Sequence, residues 1–282
     1  MLGSALCKVY HENHQIYAFH RDSKCYPPCT KDYNLDLTSK GKLEWILHSI
    51  KPDLVIHCAA LINLDLCEEK PEFAYNTNVV LTENVLKACP EGTKFIYIST
   101  DQVYGKAIEY SEDNIDLKPG NQYGMTKLQG EKKVQEYFAD HIVIRTNIFG
   151  WNMKPGRISF AEWVHNSLVK GEKITLFTDY LFSPIYTKYF ANIILQLVRI
   201  GFSGLINVGS PEPCSKYEFG IHLASEFGFV DFSMNKGSIN NHIFNAPRNK
   251  DLTIKTKKLI GLGIEAPSYE ESIKLFIKDL TY

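Results

Sequence analysis

Tyr123 and Lys127 stand four residues apart in the run Tyr-Gly-Met-Thr-Lys-Leu-Gln-Gly-Glu, and Thr100 lies 23 residues before the tyrosine in Ser-Thr-Asp-Gln-Val-Tyr-Gly. On a helix, positions four apart share one face. An ammonium placed there lowers a neighbouring phenol from its ordinary value of about 10 toward neutral pH. A phenol tuned in this way passes a proton to a carbonyl oxygen while a nicotinamide delivers hydride. A threonine hydroxyl just past a strand end can hold the same oxygen. The pair at this spacing also arises by chance, as an exposed helix start with a solvated lysine, and Thr100 also suits a plain strand-end cap. The surrounding elements therefore decide how much the pattern weighs.

Those elements favour chemistry. Residues 94–100 read as a buried strand (Phe95, Ile96, Tyr97, Ile98) that delivers Thr100 at its end, and Gln122–Tyr137 reads as the helix that Tyr123 opens. Strand-like and helix-like segments alternate through the first half, the pattern of a parallel sheet wrapped by helices. Residues 16–19, 53–59 and 141–146 are the other strands expected there, with helices at 43–50 and 72–88. The run Asp-Leu-Val-Ile-His-Cys-Ala is near-continuously apolar, as a strand buried on both faces should be. Beyond Trp151 the alternation loosens. Helices are expected at 158–169, 189–198 and 215–227, with short strands at 173–177 and 205–208. The fold class expected is α/β: a Rossmann-like, doubly wound parallel sheet over residues 1–150, with a smaller substrate-binding lobe mainly in 151–282 and segments interleaved between the two.

The totals set bounds. A chain of 282 residues with 44% apolar and 22% charged residues is an ordinary globular protein with room for a substantial core. A net charge of −1 makes no electrostatic case for nucleic acid or an anionic membrane as partner. No apolar run approaches the roughly 18–20 residues of a membrane span, and the first residues lack the features of a secretory signal. Seven scattered cysteines suit reduced thiols in a cytoplasm. Cys25 and Cys29 have no histidine or cysteine partners nearby at ligand spacing, so an ordinary loop is expected there and no metal site.

At residues 99–104, 123–131 and 145–150 the chain resembles the extended short-chain dehydrogenase/reductase superfamily, and within it the dTDP-4-dehydrorhamnose reductase-like, sugar-nucleotide reductase branch. That branch shows S-T-D-x-V-[FY], then Y-G-x-[ST]-K-L-x-G-E, then R-[TS]-x-x-[FY]-G, and all three stand here in order. The resemblance covers nearly the whole chain. It implies Tyr123 as proton donor, Lys127 as its tuner and ribose anchor, and Thr100 as the hydroxyl that orients the carbonyl. Asp101 and Gln102 follow Thr100 into the cleft as substrate contacts, Asp101 being equally a turn residue. Arg145-Thr146 would end the next strand near the nicotinamide, or else serve as a structural pair.

The resemblance also implies a cofactor, NADP in preference to NAD. His20-Arg21 falls where the second strand ends, beside the adenosine ribose, and a guanidinium there can clamp a 2′-phosphate. Asp22 offers the alternative of holding a ribose hydroxyl. Asp36-Leu37 matches a step that lies against the adenine, and Cys58-Ala59-Ala60 matches the small-residue segment after the third strand, where cofactor meets backbone. Asn78 is either a cofactor contact or a structural helix-to-strand hydrogen bond. The expected Gly-rich turn is reduced to Gly3, read as the last glycine, the one that lets helix and strand pack closely. The first strand and the phosphate-facing glycines are missing, and Met1 is accordingly expected not to be the natural start, leaving inner strands without ladder partners.

The activity implied is reduction of the keto group of a nucleotide-linked deoxysugar for surface polysaccharide. A nucleotide sugar is the expected small-molecule partner, and a homodimer is among the assemblies the resemblance allows. Two departures bear on the substrate: Ile148 replaces a tryptophan, and Phe182-Ser-Pro-Ile-Tyr186 replaces an Arg-Pro-Thr-like stretch, so the particular sugar does not follow. Downstream, the segment at Pro247-Arg248 resembles a late Arg-Pro segment with the pair's order swapped. A dehydratase or epimerase is the second reading, against which Gln102 stands where dehydratases carry an acid. A catalytically silent binding subunit, like the regulatory subunit of methionine adenosyltransferase, is the third.

Overall fold

In a computed structural model of the chain, residues 1–21, 28–38, 40–105, 110–154 and 156–280 are described. Asp22 and Cys25 lie outside them. The chain opens with helix α1 (Leu2–Tyr10), strands β1 (Tyr17–His20) and β2 (Lys31–Asn34), helix α2 (Lys40–Ile50) and strand β3 (Leu54–His57). Helices α3 (Leu64–Glu69), α4 (Pro71–Tyr75) and α5 (Leu81–Ala88) follow, a π-helical turn at Asn76–Val80 joining the last two. Then come β4 (Lys94–Ile98), α6 (Gln122–Tyr137) and β5 (His141–Phe149).

The second half runs α7 (Phe160–Val169), β6 (Ile174–Phe177), β7 (Leu181–Phe182), β8 (Pro184–Tyr186), α8 (Thr187–Arg199) and β9 (Gly204–Val208). It closes with β10 (Cys214–Ser215), α9 (Lys216–Glu226), β11 (Met234–Gly237), β12 (Asp251–Leu252), α10 (Lys257–Gly261) and α11 (Tyr269–Lys278).

The main sheet is parallel, ordered β3-β4-β5, with β5 pairing β9 along its first part and β8 at its end. Alternation along the strands sorts side chains to two faces. Phe95, Tyr97 and Val143 pack with Leu43 and Leu47 of α2, Val85 and Leu86 of α5, and Val134 of α6. Ile96, Ile142, Ile144, Ile206 and Val208 pack with Leu2, Leu6 and Tyr10 of α1, Phe190 and Ile194 of α8, and Leu259 of α10. Near-continuous apolar strands are what burial on both faces demands. A third cluster, built around Phe149, Phe182, Phe219 and Phe276, holds the later helices and short strands together.

β1 and β2 form a separate two-stranded parallel sheet, and among the described residues no strand pairs with both β1 and β3. On the β3–β5 side of that gap lies α1, an amphipathic helix whose Tyr10 hydroxyl donates to the Ala191 carbonyl at 2.7 Å. Sequence reading placed only the last glycine of a Gly-rich turn here and missed the helix. It also missed β2, whose Lys-Asp-Tyr-Asn is mostly exposed and carries no apolar alternation.

Candidate active site

The C-terminal ends of β3, β4 and β5 and the start of α6 converge on one cleft. β4 ends at Ile98, and Ser99-Thr100 turns into a short 3-10 segment at Asp101–Val103 that Thr100 caps, its Oγ1 accepting the Gln102 N–H at 3.2 Å. Thr100 also donates to Asp101 Oδ1 at 3.0 Å, and Asn147 of β5 donates to Asp101 Oδ2.

α6 starts with Asn121 as its N-cap, Oδ1 accepting the Gly124 N–H at 2.9 Å. The Asn121 amide donates to Gln102 Oε1 and to the Pro247 carbonyl, both at 3.1 Å, so one residue locks the helix start to the turn after β4 and to the late segment. Gly124 permits that approach: a Cβ there would lie 2.5 Å from the Gln102 carbonyl oxygen. Gly130, two turns on, is required for the same kind of reason, because a Cβ would lie 2.1 Å from the Tyr97 hydroxyl.

Tyr123 and Lys127 are both buried on the inner face of α6, 9% and 2% exposed. The Tyr123 phenol and the Thr100 hydroxyl are within hydrogen-bonding reach of one another. Burial pushes the phenol up, the Thr100 hydrogen bond works against this, and the Asp101 carboxylate adds to it. Lys127 is pushed down by burial to about 7, with Glu131 and Cys58 pulling the other way. Its Nζ rests over the Tyr97 ring, 3.9 Å from the centroid. The expected lowering of the phenol by Lys127 is therefore not what governs Tyr123 here, since desolvation of both groups outweighs their mutual field. Beneath them His57, at the end of β3, is held neutral, pushed down to about 3 by burial first and Lys127 second.

The remaining expected positions divide. Asn78 is structural: its Oδ1 accepts the Leu61 N–H at 2.7 Å, and its amide donates to the Leu61 carbonyl and to Thr126 Oγ1 at 3.1 and 3.0 Å. It fixes the segment after β3 against α6. Arg145 is a structural pair as well, buried in a two-pronged contact with Glu131, and its Cζ lies 4.7 Å from the Tyr104 ring centroid.

Cys58-Ala59-Ala60 leaves β3 at the cleft, with Ala59 exposed. His20 ends β1 with Nε2 2.9 Å from Asp32 Oδ2, and Arg21 follows it, exposed and near enough to Asp36 to hold that carboxyl down. The larger influence on Asp36 is its turn with Thr38, whose N–H and hydroxyl both donate to it. Leu37 packs on the core face that carries Phe95 and Tyr97. Gly3 corrects the expectation placed on it: it lies exposed in α1, where a Cβ would meet nothing within 4 Å, so close packing does not require a glycine.

Sequence reasoning passed over Asn121, Asn147, Tyr180 and Lys216. No motif flagged them, because they reach the cleft only by folding. A carboxamide three residues ahead of a helical N–H was the one available signal, and it belonged to Asn121.

A dinucleotide fits what is present at both its ends. Among the described residues the buried Nδ1 of His20 has no hydrogen-bond partner, the exposed Arg21 follows it at the β1 end, and Lys127 stands at the other. Between them, the start of α1 lies at the same sheet edge. The Met1 amine donates to Asn152 Oδ1 at 3.4 Å and senses Cys58. Both partners sit just past strand ends, and a helix start with free N–H groups suits an anion. Among the described residues there is no His/Cys/Asp/Glu cluster able to hold a metal ion.

Known proteins resemble this chain. A probable low-salt glycan biosynthesis reductase of Haloferax volcanii is 28% identical over 81% of this chain and 77% of its own. The dTDP-4-dehydrorhamnose reductase of Escherichia coli is 30% identical over 61% of this chain and 57% of its own. The beta subunit of methionine adenosyltransferase 2 from Xenopus tropicalis is 28% identical over 99% of this chain and 86% of its own. Among solved structures, a Bacillus anthracis dTDP-4-dehydrorhamnose reductase in complex with NADP matches 94% of this chain and 100% of its own, with a TM-score of 0.82 and 24% identity. The RmlD substrate binding domain profile matches residues 1–282 from end to end, and the chain belongs to that family, within the extended short-chain dehydrogenase/reductase superfamily.

Proposed function

We propose that the chain is an NADP-dependent reductase of the keto group of a nucleotide-linked deoxysugar, of the kind that supplies activated deoxysugars for surface polysaccharide. One observation carries the reading: Thr100, Tyr123 and Lys127, from a strand end and a helix start, meet in one buried site at the C-terminal edge of a parallel sheet. Bound there, the cofactor supplies hydride. The chain's residues do the rest. Thr100 and Tyr123 hold the carbonyl oxygen between two hydroxyls, and Tyr123 releases its proton to that oxygen as charge develops on it. Lys127 holds the cofactor ribose and returns the proton. His20 and Arg21 take the adenosine end, Arg21 favouring the 2′-phosphate; Ala59 and Ala60 keep the strand ends low enough for close approach. Asp101, Gln102 and Asn147 face the sugar.

A nucleotide diphosphate carries negative charge, and Arg248 follows Pro247, whose carbonyl accepts from the Asn121 amide at the start of α6. Arg248 is held by Asp65 at 2.8 Å and by the Phe244 ring, 4.8 Å from its Cζ. No helix among the described residues is long and apolar enough to cross a membrane, and a cytoplasmic location belongs to the proposal. So does a homodimer, for which the exposed Phe73 and Met125 are the apolar candidates.

The test is oxidation of NADPH by the purified chain with a dTDP-4-keto-6-deoxyhexose, beside Tyr123→Phe. Turnover abolished by that one hydroxyl supports the reading. A wild-type chain that binds the nucleotide sugar and NADPH but turns nothing over overturns it. That result would favour the second reading, a non-catalytic nucleotide-binding subunit, which the match to a methionine adenosyltransferase beta subunit over 99% of the chain keeps in view.

A further inference from the structure

Lys216 sits where electrostatics would not put it. It is the first residue of α9, directly after the N-cap Ser215, at the positive end of the helix dipole. Acidic side chains belong in that turn, and Glu218 is the one present. The Lys216 ammonium is boxed by three rings, its Nζ lying 3.4 Å from the centroid of Phe182, 4.4 Å from Phe160 and 5.4 Å from Tyr180. Cation–π contact compensates a desolvated ammonium in part. It leaves the three N–H donors unspent, and among the described residues no protein oxygen takes a hydrogen bond or ion pair from Nζ.

The carboxylate that acts on Lys216 is Asp101. Asp101 is 1% exposed, bound to Thr100 Oγ1 at 3.0 Å and to the Asn147 amide, and Thr100 in turn reaches Tyr123. Tyr180, one wall of the ring box, reaches Gln102. Lys216 is thus joined through Asp101 and Thr100 to the hydroxyls that would hold the reacting carbonyl. Burial pushes its ammonium down to about 8. A half-buried cation at a helix start breaks a local rule, and such breaks concentrate at functional sites.

We infer that Lys216 is a specificity-determining residue which, with Asp101, reads a hydroxyl on the sugar carbon next to the one reduced. The inference rests on the reductase reading and names a feature of its substrate. A hydroxyl satisfies both groups at once, donating to Asp101 and accepting from Lys216. An anionic substituent would meet the Asp101 carboxylate, and a bare methylene would leave the Lys216 ammonium without an acceptor. Sites built to bond a hydroxyl reject the analogue that lacks it more strongly than apolar pockets reject one methylene.

The measurement is calorimetric binding to the full chain, in saturating oxidised NADP, of a dTDP-6-deoxyhexose with a hydroxyl at carbon 3 and of its 3-deoxy counterpart. Wild type is expected to bind the hydroxy sugar about tenfold tighter or more. Lys216→Met, which keeps the stem among the rings, should erase the preference, and Lys216→Arg should restore part of it. Equal affinities in wild type overturn the inference without recourse to any variant, as does an undiminished preference in a folded Lys216→Met. Failure to bind either sugar overturns it together with the reductase reading. The expected preference in a chain that oxidises no NADPH would support the role of Lys216 and count against the reductase reading alone.

Discussion

Glu131 of α6 and Arg145 of β5 form a buried, two-pronged ion pair, Nε to Oε1 at 3.0 Å and Nη2 to Oε2 at 2.7 Å, and Ser99 at the end of β4 donates its hydroxyl to the same carboxylate. The three residues come from the three ordered motifs of the sequence. What joins those motifs is therefore not only catalysis. A serine, a glutamate and an arginine clamp the strand end that carries Thr100 to the helix that carries Tyr123 and Lys127.

Breaking that clamp on one side should be costly. Glu131→Ala leaves the Arg145 guanidinium buried and unpaired, and a loss of about 3–5 kcal/mol in unfolding free energy is expected. Urea denaturation checks it, and a loss under about 1 kcal/mol would mean that water or a neighbour replaces the carboxylate.

Lys127 should be the opposite case. Its folded value, about 7, lies below the ordinary lysine value of 10.5, so the unfolded chain holds the proton more tightly. Below pH 7 the buried charge destabilises the fold in full, and the penalty fades as pH rises from 7 toward 10.5. Lys127→Met is therefore expected to melt above wild type at pH 7 while losing activity, with the two melting curves converging by about pH 10. A variant less stable than wild type at pH 7 would show that the lysine's packing on Tyr97 outweighs its desolvation.

Tyr123→Phe removes one oxygen from a site that is already packed, so the melting temperature should hold within a few degrees. Turnover should fall by about 10² or more, the usual contribution of general acid catalysis. Steady-state kinetics with a dTDP-4-keto-6-deoxyhexose and circular dichroism on the same sample separate the two effects.

Arg21→Ala should weaken NADP much more than NAD, by about 1.5–3 kcal/mol for one charge-assisted contact. Fluorescence titration with both reduced cofactors reads the difference. Equal losses would assign Arg21 to Asp36 rather than to a 2′-phosphate.

The sequence by itself determined the alternating α/β plan and the strands at β3, β4 and β5, because burial on both faces writes near-continuous apolar runs. It determined the helix Gln122–Tyr137 to the residue and singled out Thr100, Tyr123 and Lys127 as candidates, because fixed spacing on a strand end and a helix survives as spacing in the chain. Short or exposed elements were not legible. β2 has no alternation to read, and α1 became legible only once its apolar stripe met α8.

Only the tertiary structure decided the rest. Asn78 and Arg145 became structural once their partners Leu61 and Glu131 were beside them. The phenol and ammonium shifts turned on desolvation, which depends on what the whole fold places around a group. Lys216 came into the field of Asp101 across more than a hundred residues of chain. Local periodicity records which face a residue takes, whereas long-range contacts leave no trace in spacing.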